Sequence, residues 1–408
     1  VIDDAKDGPS GIPFGRLRIA LVAPPYFNVP PTGYGGVEAV VADLADTLVD
    51  RGHTVHLIGA GTAGTKARFM SVRDQIIPER IGDPYAELVH AAATRRAVQH
   101  LAQIDGLDVV HDHTTTGVLN APSYAEFGLP TVVTAHGTVN GDLQECYASL
   151  GLGIDLVAIS DRQMELAPDL NWIGRVYNGL RLDTYPYQSE KDGYALFLGR
   201  YHPQKAPHLA IDAAHAAGVP IVLAGKCTEA VEKQYFENEV KPRLRPGDRL
   251  LGVADGTLKR ELLRAARCLL FPVQWEEPFG MVMIEAMACG TPVVALRGGA
   301  VAEVLEDGRT GLICDDPAEL PAALHRVTEL DPADCRARVA EHFGIDALAA
   351  GYEQAYRTAI THRAARAVLF SESLVKLRTE FGALASNNAA PRRTRRRRDV
   401  TWTPGGAE

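Results

Sequence analysis

Short apolar runs recur along the chain, with helical stretches between them. In the first half, "RIALVAP" (18–24), "HTVHLIGA" (53–60), "LDVVHDH" (107–113), "PTVVTAH" (130–136) and "DLVAIS" (155–160) have strand length. They are rich in Val, Ile and Leu without strict alternation, as expected of strands covered on both faces. Stretches such as "VEAVVADLADTLVDRG" (37–52) read as helices, this one stopped by Gly52. A second series starts after "YQSEKDG" (187–193): "YALFLG" (194–199), "PIVLAG" (220–225), "DRLLG" (248–252), "CLLFPV" (268–273), "PVVAL" (292–296) and "TGLIC" (310–314). Here "PHLAIDAAHAAG" (207–218) reads as a helix, with Pro207 in its first turn and Gly218 past its last.

Strand–helix–strand alternation predicts parallel sheets joined by right-handed crossovers. Two such series predict an α/β chain of two doubly wound, Rossmann-like domains facing a central cleft. Ligands should lie where the carboxyl ends of the strands meet. The expected division is an N-terminal extension (1–16), a first domain (17–190), a second (191–345), a helix crossing back onto the first (346–368) and a helical or disordered basic tail (369–408). A length of 408 residues suits two domains better than one core.

Composition narrows the class. An apolar share of 46% and a charged share of 23% are those of a soluble globular protein. No uncharged apolar run approaches the roughly 18 residues of a membrane span. The first sixteen residues lack the apolar core of a secretory signal. Six cysteines stand singly, without a CxxC pair, which favours reduced thiols in a cytoplasmic protein over disulfides or zinc. The net charge of −9 is uneven: residues 391–408 hold six Arg against Asp399 and Glu408, so they carry +4 and the rest −13. An acidic body argues against nucleic acid as the main ligand. The arginine run reads as a solvated tail, with weak attraction to anionic lipid or RNA as the alternative.

One segment holds an acid where none is expected. In "EEPFGMVMIEAMACGTP" (276–292), Gly280 to Ala288 predicts a helix, closed by Gly290 and Pro292. On it Glu285 has Met281, Val282, Ala288 and Cys289 three and four positions away, with no Lys or Arg to offer an ion pair. A carboxylate buried there alone costs several kcal/mol, so its partners must come from elsewhere, ligand hydroxyls among them. The bland alternative is a surface helix with Glu285 in water. The helix start at Phe279, Gly280, Met281 and Val282 is a natural anion site. With Glu277 ahead of it, the segment could hold a sugar, a phosphate and a second sugar in line.

Other stretches gain weight beside it. "FLGRYHPQKAPH" (197–208) puts Arg200 and Lys205 at a strand end, where two cations could grip a diphosphate. Alone they would pass for solvated loop residues. "PPYFNVPPTGYGGVEAV" (24–40) sets Gly35 and Gly36 before a helix, as when backbone must approach a phosphate, although a mere connection reads the same. In "HDH", His111 and His113 share a strand face and could line the cleft or touch an acceptor. A metal there lacks an evident third ligand, and no D-x-D triplet occurs.

Together "GGVE", "VVTAHG", "AISD", "VYNGL", "GRYHPQK", "EEPFGMVMIEAMACGTPVVA" and "GGAVAEVLEDGRTGLI" resemble family 4 of the retaining glycosyltransferases, over about residues 17–360. Glu277 and Glu285, with seven residues between, match its EX7E signature. The resemblance implies the two-domain glycosyltransferase B fold and transfer from a nucleotide-diphosphate-sugar donor to an acceptor, with no metal or other cofactor. Arg200 and Lys205 would hold the diphosphate, and Gly35, Gly36 and the amides around Phe279, Gly280, Met281 and Val282 would add hydrogen bonds. Glu277 would bind the transferred sugar, Glu285 the ribose, and His136 would sit beside the sugar unless it is simply a hydrogen-bonded strand-end histidine. Retention would follow same-face attack, since no first-domain acid offers itself as nucleophile for double displacement. A phosphorylase or epimerase on the same scaffold, or a non-catalytic sugar-nucleotide binder, are the competing readings. The base, the sugar, the acceptor and the oligomeric state are not encoded in these motifs.

Overall fold

The structure, a computed structural model, describes residues 15–387, with side chains as far as Arg366. Most of the expected N-terminal extension and the arginine-rich end of the tail lie outside the described residues. The chain divides into two units, Val1–Thr361 and His362–Glu408. The first holds everything discussed below; in the second, the described part is the continuation to Asn387 of a helix that begins at Ile345.

Two parallel sheets form the first unit. The first has seven strands: β1 (Arg18–Val22), β2 (Thr54–Ala60), β3 (Arg68–Arg73), β4 (Val109–Asp112), β5 (Thr131–Thr134), β6 (Asp155–Ala158) and β7 (Trp172–Arg175), in the order β3-β2-β1-β4-β5-β6-β7. The second has six: β8 (Ala195–Leu198), β9 (Ile221–Ala224), β10 (Arg249–Leu251), β11 (Cys268–Phe271), β12 (Val293–Leu296) and β13 (Gly311–Cys314), in the order β10-β9-β8-β11-β12-β13. In both, the first strand lies inside and the order reverses beside it, which opens a crevice at the carboxyl edge. The central strands are buried along their length, as their unbroken Val, Ile and Leu runs require.

Two strands escape the sequence pattern. β3 ("RFMSVR") and β7 ("WIGR") lie at the two edges of the first sheet, half-exposed, and so carry charge where central strands carry Val and Ile. The stretch 61–90, where the apolar pattern shows no strand, thus contains β3 and the start of the helix Pro84–Ile104, and the stretch 137–150 contains the helix Gly141–Leu150.

Each lobe has its own core. The helix Gly36–Asp50 packs Val40, Val41, Leu44 and Leu48 beneath Leu21 and Leu57. Leu348, Ala349, Tyr352 and Tyr356 of the C-terminal helix join the same cluster. Glu353 on that helix takes hydrogen bonds from Arg51 and pairs with His53 at 2.9 Å. In the second lobe, the helix Met281–Ala288 is apolar almost all round, with Met283, Ile284, Ala286 and Met287 fully buried. The chain crosses between lobes twice, at about 176–180 and 343–345, and the crossings run side by side: the Leu180 amide donates to the Phe343 carbonyl at 3.0 Å. A Cβ on Gly179 would lie 2.9 Å from the Gly344 carbonyl oxygen, so this close passage needs glycine.

Candidate active site

A cleft of about 310 Å³ lies between the lobes, and its walls are loops that leave the carboxyl ends of strands in both sheets. From the first lobe come Tyr34, Gly35 and Gly36 after β1 and His136 after β5. From the second come Arg200 and Lys205 after β8, Lys226 after β9, Val253 and Ala254 after β10, and Glu277 to Val282 after β11. Glu285 and Lys259 line it as well. The structure therefore brings together His136, Gly35, Gly36, Arg200, Lys205, Glu277, Phe279, Gly280, Met281, Val282 and Glu285, which the sequence scatters over 250 residues. It excludes His111 and His113.

Glycines let these loops meet. The loops after β8 and β9 touch backbone to backbone: a Cβ on Gly225 would fall 1.7 Å from the Gly199 carbonyl oxygen. Gly280 has φ +85° and turns the chain into the helix Met281–Ala288; a Cβ there would be 2.7 Å from Met283 Cε. Beyond that turn, the first amides of the helix face the cleft without intrahelical acceptors.

Every cation in the cleft is already paired. Arg200 donates from Nε to Glu232 at 2.6 Å and from Nη2 to Glu229 at 2.7 Å, and Nη1 makes no hydrogen bond among the described residues. Burial opposes its charge, but the hydrogen bond to Glu232 and the nearby negative groups outweigh it and raise its pKa. Lys226 donates to Glu229 at 2.7 Å and stands 5.6 Å from the ring centre of Tyr34, a contact between lobes. Lys205 donates to Glu277 Oε2, which also accepts from Trp275 Nε1 at 2.9 Å. The Lys205 ammonium lies 5.0 Å from the Trp275 ring centre, so the indole helps aim it. Ala206, next in the chain, is held left-handed at φ +47° and fully buried, and this fixes where the Lys205 side chain leaves the loop.

Glu285 finds its partners elsewhere in the chain, as its apolar helix requires. It is buried, but paired: Lys259 donates to Oε1 at 2.6 Å, and the Tyr185 hydroxyl donates to the same oxygen at 3.1 Å. Both partners come from other elements, Lys259 from the helix Gly256–Ala265, so the composition of Glu285's own helix could not reveal them. Burial and the neighbouring Glu285 charge together hold the Tyr185 hydroxyl firmly protonated.

The histidines separate. His136 lines the cleft, and the carboxamide of Gln163 pins its flanking backbone by donating to Ala135 and Gly137 carbonyls at 2.9 and 2.6 Å. His113 lies behind it, buried, with Nδ1 2.7 Å from His136 Nε2. His111 is wholly buried between Thr134 and Tyr356, 2.8 Å from each. Neither is positioned to line the cleft or touch an acceptor: β4 is a central strand, and its side chains meet the C-terminal helix or the back of His136. Burial pushes His136 down to about 4 and keeps His111 and His113 well below the usual range, so all three rings are neutral at pH 7. Among the described residues, no group of three or more His, Cys, Asp or Glu is arranged to hold a metal.

Sequence reasoning missed Tyr34, Lys226, Lys259, Asn178, Trp275 and the acids Glu229 and Glu232. Lys226 could have been found, since it follows "PIVLAG" as Arg200 follows "YALFLG". Glu229 and Glu232 sit on an unremarkable charged helix whose capping box, Glu229 with Glu232, is legible only as a helix start.

Known proteins align with this geometry. Residues 34–178 match the model described as Glycosyltransferase Family 4, and residues 186–348 match Glycosyl transferases group 1, one model per lobe. The phosphatidyl-myo-inositol mannosyltransferase of Mycobacterium tuberculosis is 29% identical over 338 residues, covering 75% of this chain and 85% of that protein. The D-inositol 3-phosphate glycosyltransferase of Acidothermus cellulolyticus is 28% identical over 382 residues, covering 79% and 85%. Among solved structures, a glycosyltransferase involved in avilamycin A biosynthesis superposes with a TM-score of 0.64 at 27% identity, covering 85% of this chain and 98% of that one.

Proposed function

From the premise that the chain is a glycosyltransferase with the two-lobed B fold, we propose that it transfers a glycosyl group, with retention, from a nucleotide-diphosphate sugar to an acceptor hydroxyl. One observation carries this reading: the Lys205–Glu277 pair, the helix start at Met281 and Val282, the Glu285–Lys259 pair and Arg200 all line one cleft. A sugar, a diphosphate and a ribose call for that set of groups. Glu277 takes hydroxyls of the transferred sugar. The helix start and the open Nη1 of Arg200 take the phosphates, with Lys205 on the departing oxygen. Glu285, oriented by Lys259 and Tyr185, takes the ribose hydroxyls.

Retention is supported by where the acids stand. The carboxylates lining the cleft, Glu277 and Glu285, both belong to the second lobe, and the first-lobe lining offers Tyr34, His136, Asn178 and apolar or glycine positions. Double displacement needs a carboxylate on the far face of the sugar. Same-face attack needs none. The acceptor oxygen forms its bond to the anomeric carbon as the bond to the phosphate oxygen breaks, and the acceptor proton passes to that oxygen. The side chains then act by positioning and by stabilising charge on the leaving group. Because Arg200, Lys205 and the helix start meet that charge, transfer proceeds without a divalent ion, and EDTA should leave the rate unchanged.

The relatives differ in acceptor, an inositol lipid in one and an inositol phosphate in the other, and the acceptor here is left as a hydroxyl compound. The test is a panel of nucleotide sugars screened by thermal shift, followed by turnover and product anomer analysis. Lys205→Ala should remain folded and lose about 2–4 kcal/mol of transition-state stabilisation, a fall of about 30- to 1,000-fold in kcat/KM. Near-normal turnover in that variant, or binding without any donor consumption, would overturn the reading.

A further inference from the structure

We propose that His113 is a positioning residue that fixes the tautomer of His136, so that His136 presents its Nδ1–H to the cleft as a hydrogen-bond donor. The role given to that donor, a contact to a hydroxyl oxygen of the transferred sugar, rests on the function proposed above.

β4 and β5 are adjacent parallel strands, with Asp112 opposite Val133. That register carries His113, one residue past β4, and His136, two past β5, to the same edge. Their rings lie 5.0 Å apart and 26° from parallel, with Nδ1 of His113 2.7 Å from Nε2 of His136. Two neutral imidazoles can place only one proton on that line. If His136 were the donor, the proton of His113 would sit on its own Nε2, which is buried with no hydrogen-bond partner. A buried N–H without an acceptor is the rarer and costlier fault, and a bare ring nitrogen in the same place is the lesser one. His113 Nδ1–H therefore donates to His136 Nε2, and the remaining proton of His136 is on Nδ1.

The surroundings hold this arrangement. His111 packs against His113 with ring centres 4.0 Å apart, and both its nitrogens are occupied by Thr134 and Tyr356. Tyr352 lies 2.9 Å from Thr134 and edge-on to His113. His113 thus has no room to turn its ring and offer the other nitrogen. Burial keeps both rings of the pair neutral, so the single shared proton is the state at physiological pH. His136 makes no other side-chain hydrogen bond among the described residues, which leaves Nδ1–H for a ligand.

The decisive measurement is the ring-nitrogen tautomer in the full-length protein labelled with 15N-histidine, assigned with His136→Gln and His113→Asn. His136 is expected to show a protonated Nδ1 and a bare Nε2; a proton on Nε2 overturns the proposal whatever the protein transfers. Kinetics give a second reading. His113→Leu keeps the volume and removes the donor, and kcat should fall about 10-fold with donor KM within about 3-fold. His113→Asn keeps an N–H where Nδ1 stands and should recover most of that loss. Equal losses in the two variants, at equal Tm, would mean that His113 only fills space.

Discussion

At the residue scale, the cleft is a set of charges whose partners decide what they can do. Glu285 is the clearest case. Its place among Met281, Val282, Ala288 and Cys289 announces a purpose, but Lys259 and Tyr185 reach it from 26 and 100 residues away. No local spacing encodes that. Replacing Glu285 by Gln keeps the shape and removes the charge; donor KM should rise about 10-fold with kcat little changed, as for a contact made equally in ground and transition states. Initial rates against donor concentration would show it. Glu38 offers a stability test. Burial in the first turn of the helix Gly36–Asp50 raises its pKa from 4.5 to about 7. Below 4.5 it is protonated folded or unfolded. Between 4.5 and 7 the unfolded chain releases the proton and the folded chain keeps it, so stability falls as pH rises through that window. The loss is on the order of 3 kcal/mol at most. Urea midpoints at pH 5 and pH 8 should differ less in Glu38→Gln than in the parent.

At the element scale, most strands were legible because a parallel strand covered on both faces has little choice but Val, Ile and Leu. β3 and β7 were not, because an edge strand can afford Arg68, Arg73 and Arg175. The helix Met281–Ala288 was legible to within a residue, and its glycine start too. What the pattern could not disclose is why the glycine is needed: a Cβ at Gly280 would meet Met283 at 2.7 Å and Phe271 at 3.1 Å. Gly280→Ala combines a left-handed backbone with that crowding, and should lower stability by about 1–3 kcal/mol while tilting the helix start away from the cleft. Chemical denaturation measures the first effect, and nucleotide affinity the second. HDH was misjudged at this scale. Alternation along β4 does place His111 and His113 on one face, but that face meets the C-terminal helix, whose Tyr352 and Tyr356 lie some 240 residues further on.

At the scale of the whole first unit, the lobes are tied by polar contacts around the cleft. Glu303 of the second lobe accepts from the Asp161 and Arg162 amides at 2.7 and 2.8 Å and from the Tyr177 hydroxyl at 3.0 Å. Arg162 returns two bonds to Glu276. Arg181 reaches Asp43 and Thr47. These contacts use partly exposed side chains, unlike the buried apolar cores within each lobe, and interfaces of that kind permit relative lobe motion. Glu303→Ala should weaken the coupling by about 1–2 kcal/mol. Calorimetry would then show the single unfolding transition broadening or splitting, with each lobe's core intact. One consequence of the paired cleft concerns ionic strength. Arg200, Lys205, Lys226 and Lys259 are matched there by Glu229, Glu232, Glu277 and Glu285. Seen from a few nanometres away, such a pocket is nearly uncharged and exerts little long-range pull on a polyanion. The field that remains is that of the acidic body, −13 over residues 1–390, so capture of the proposed anionic donor should be slow, and added sodium chloride should quicken it by screening that repulsion.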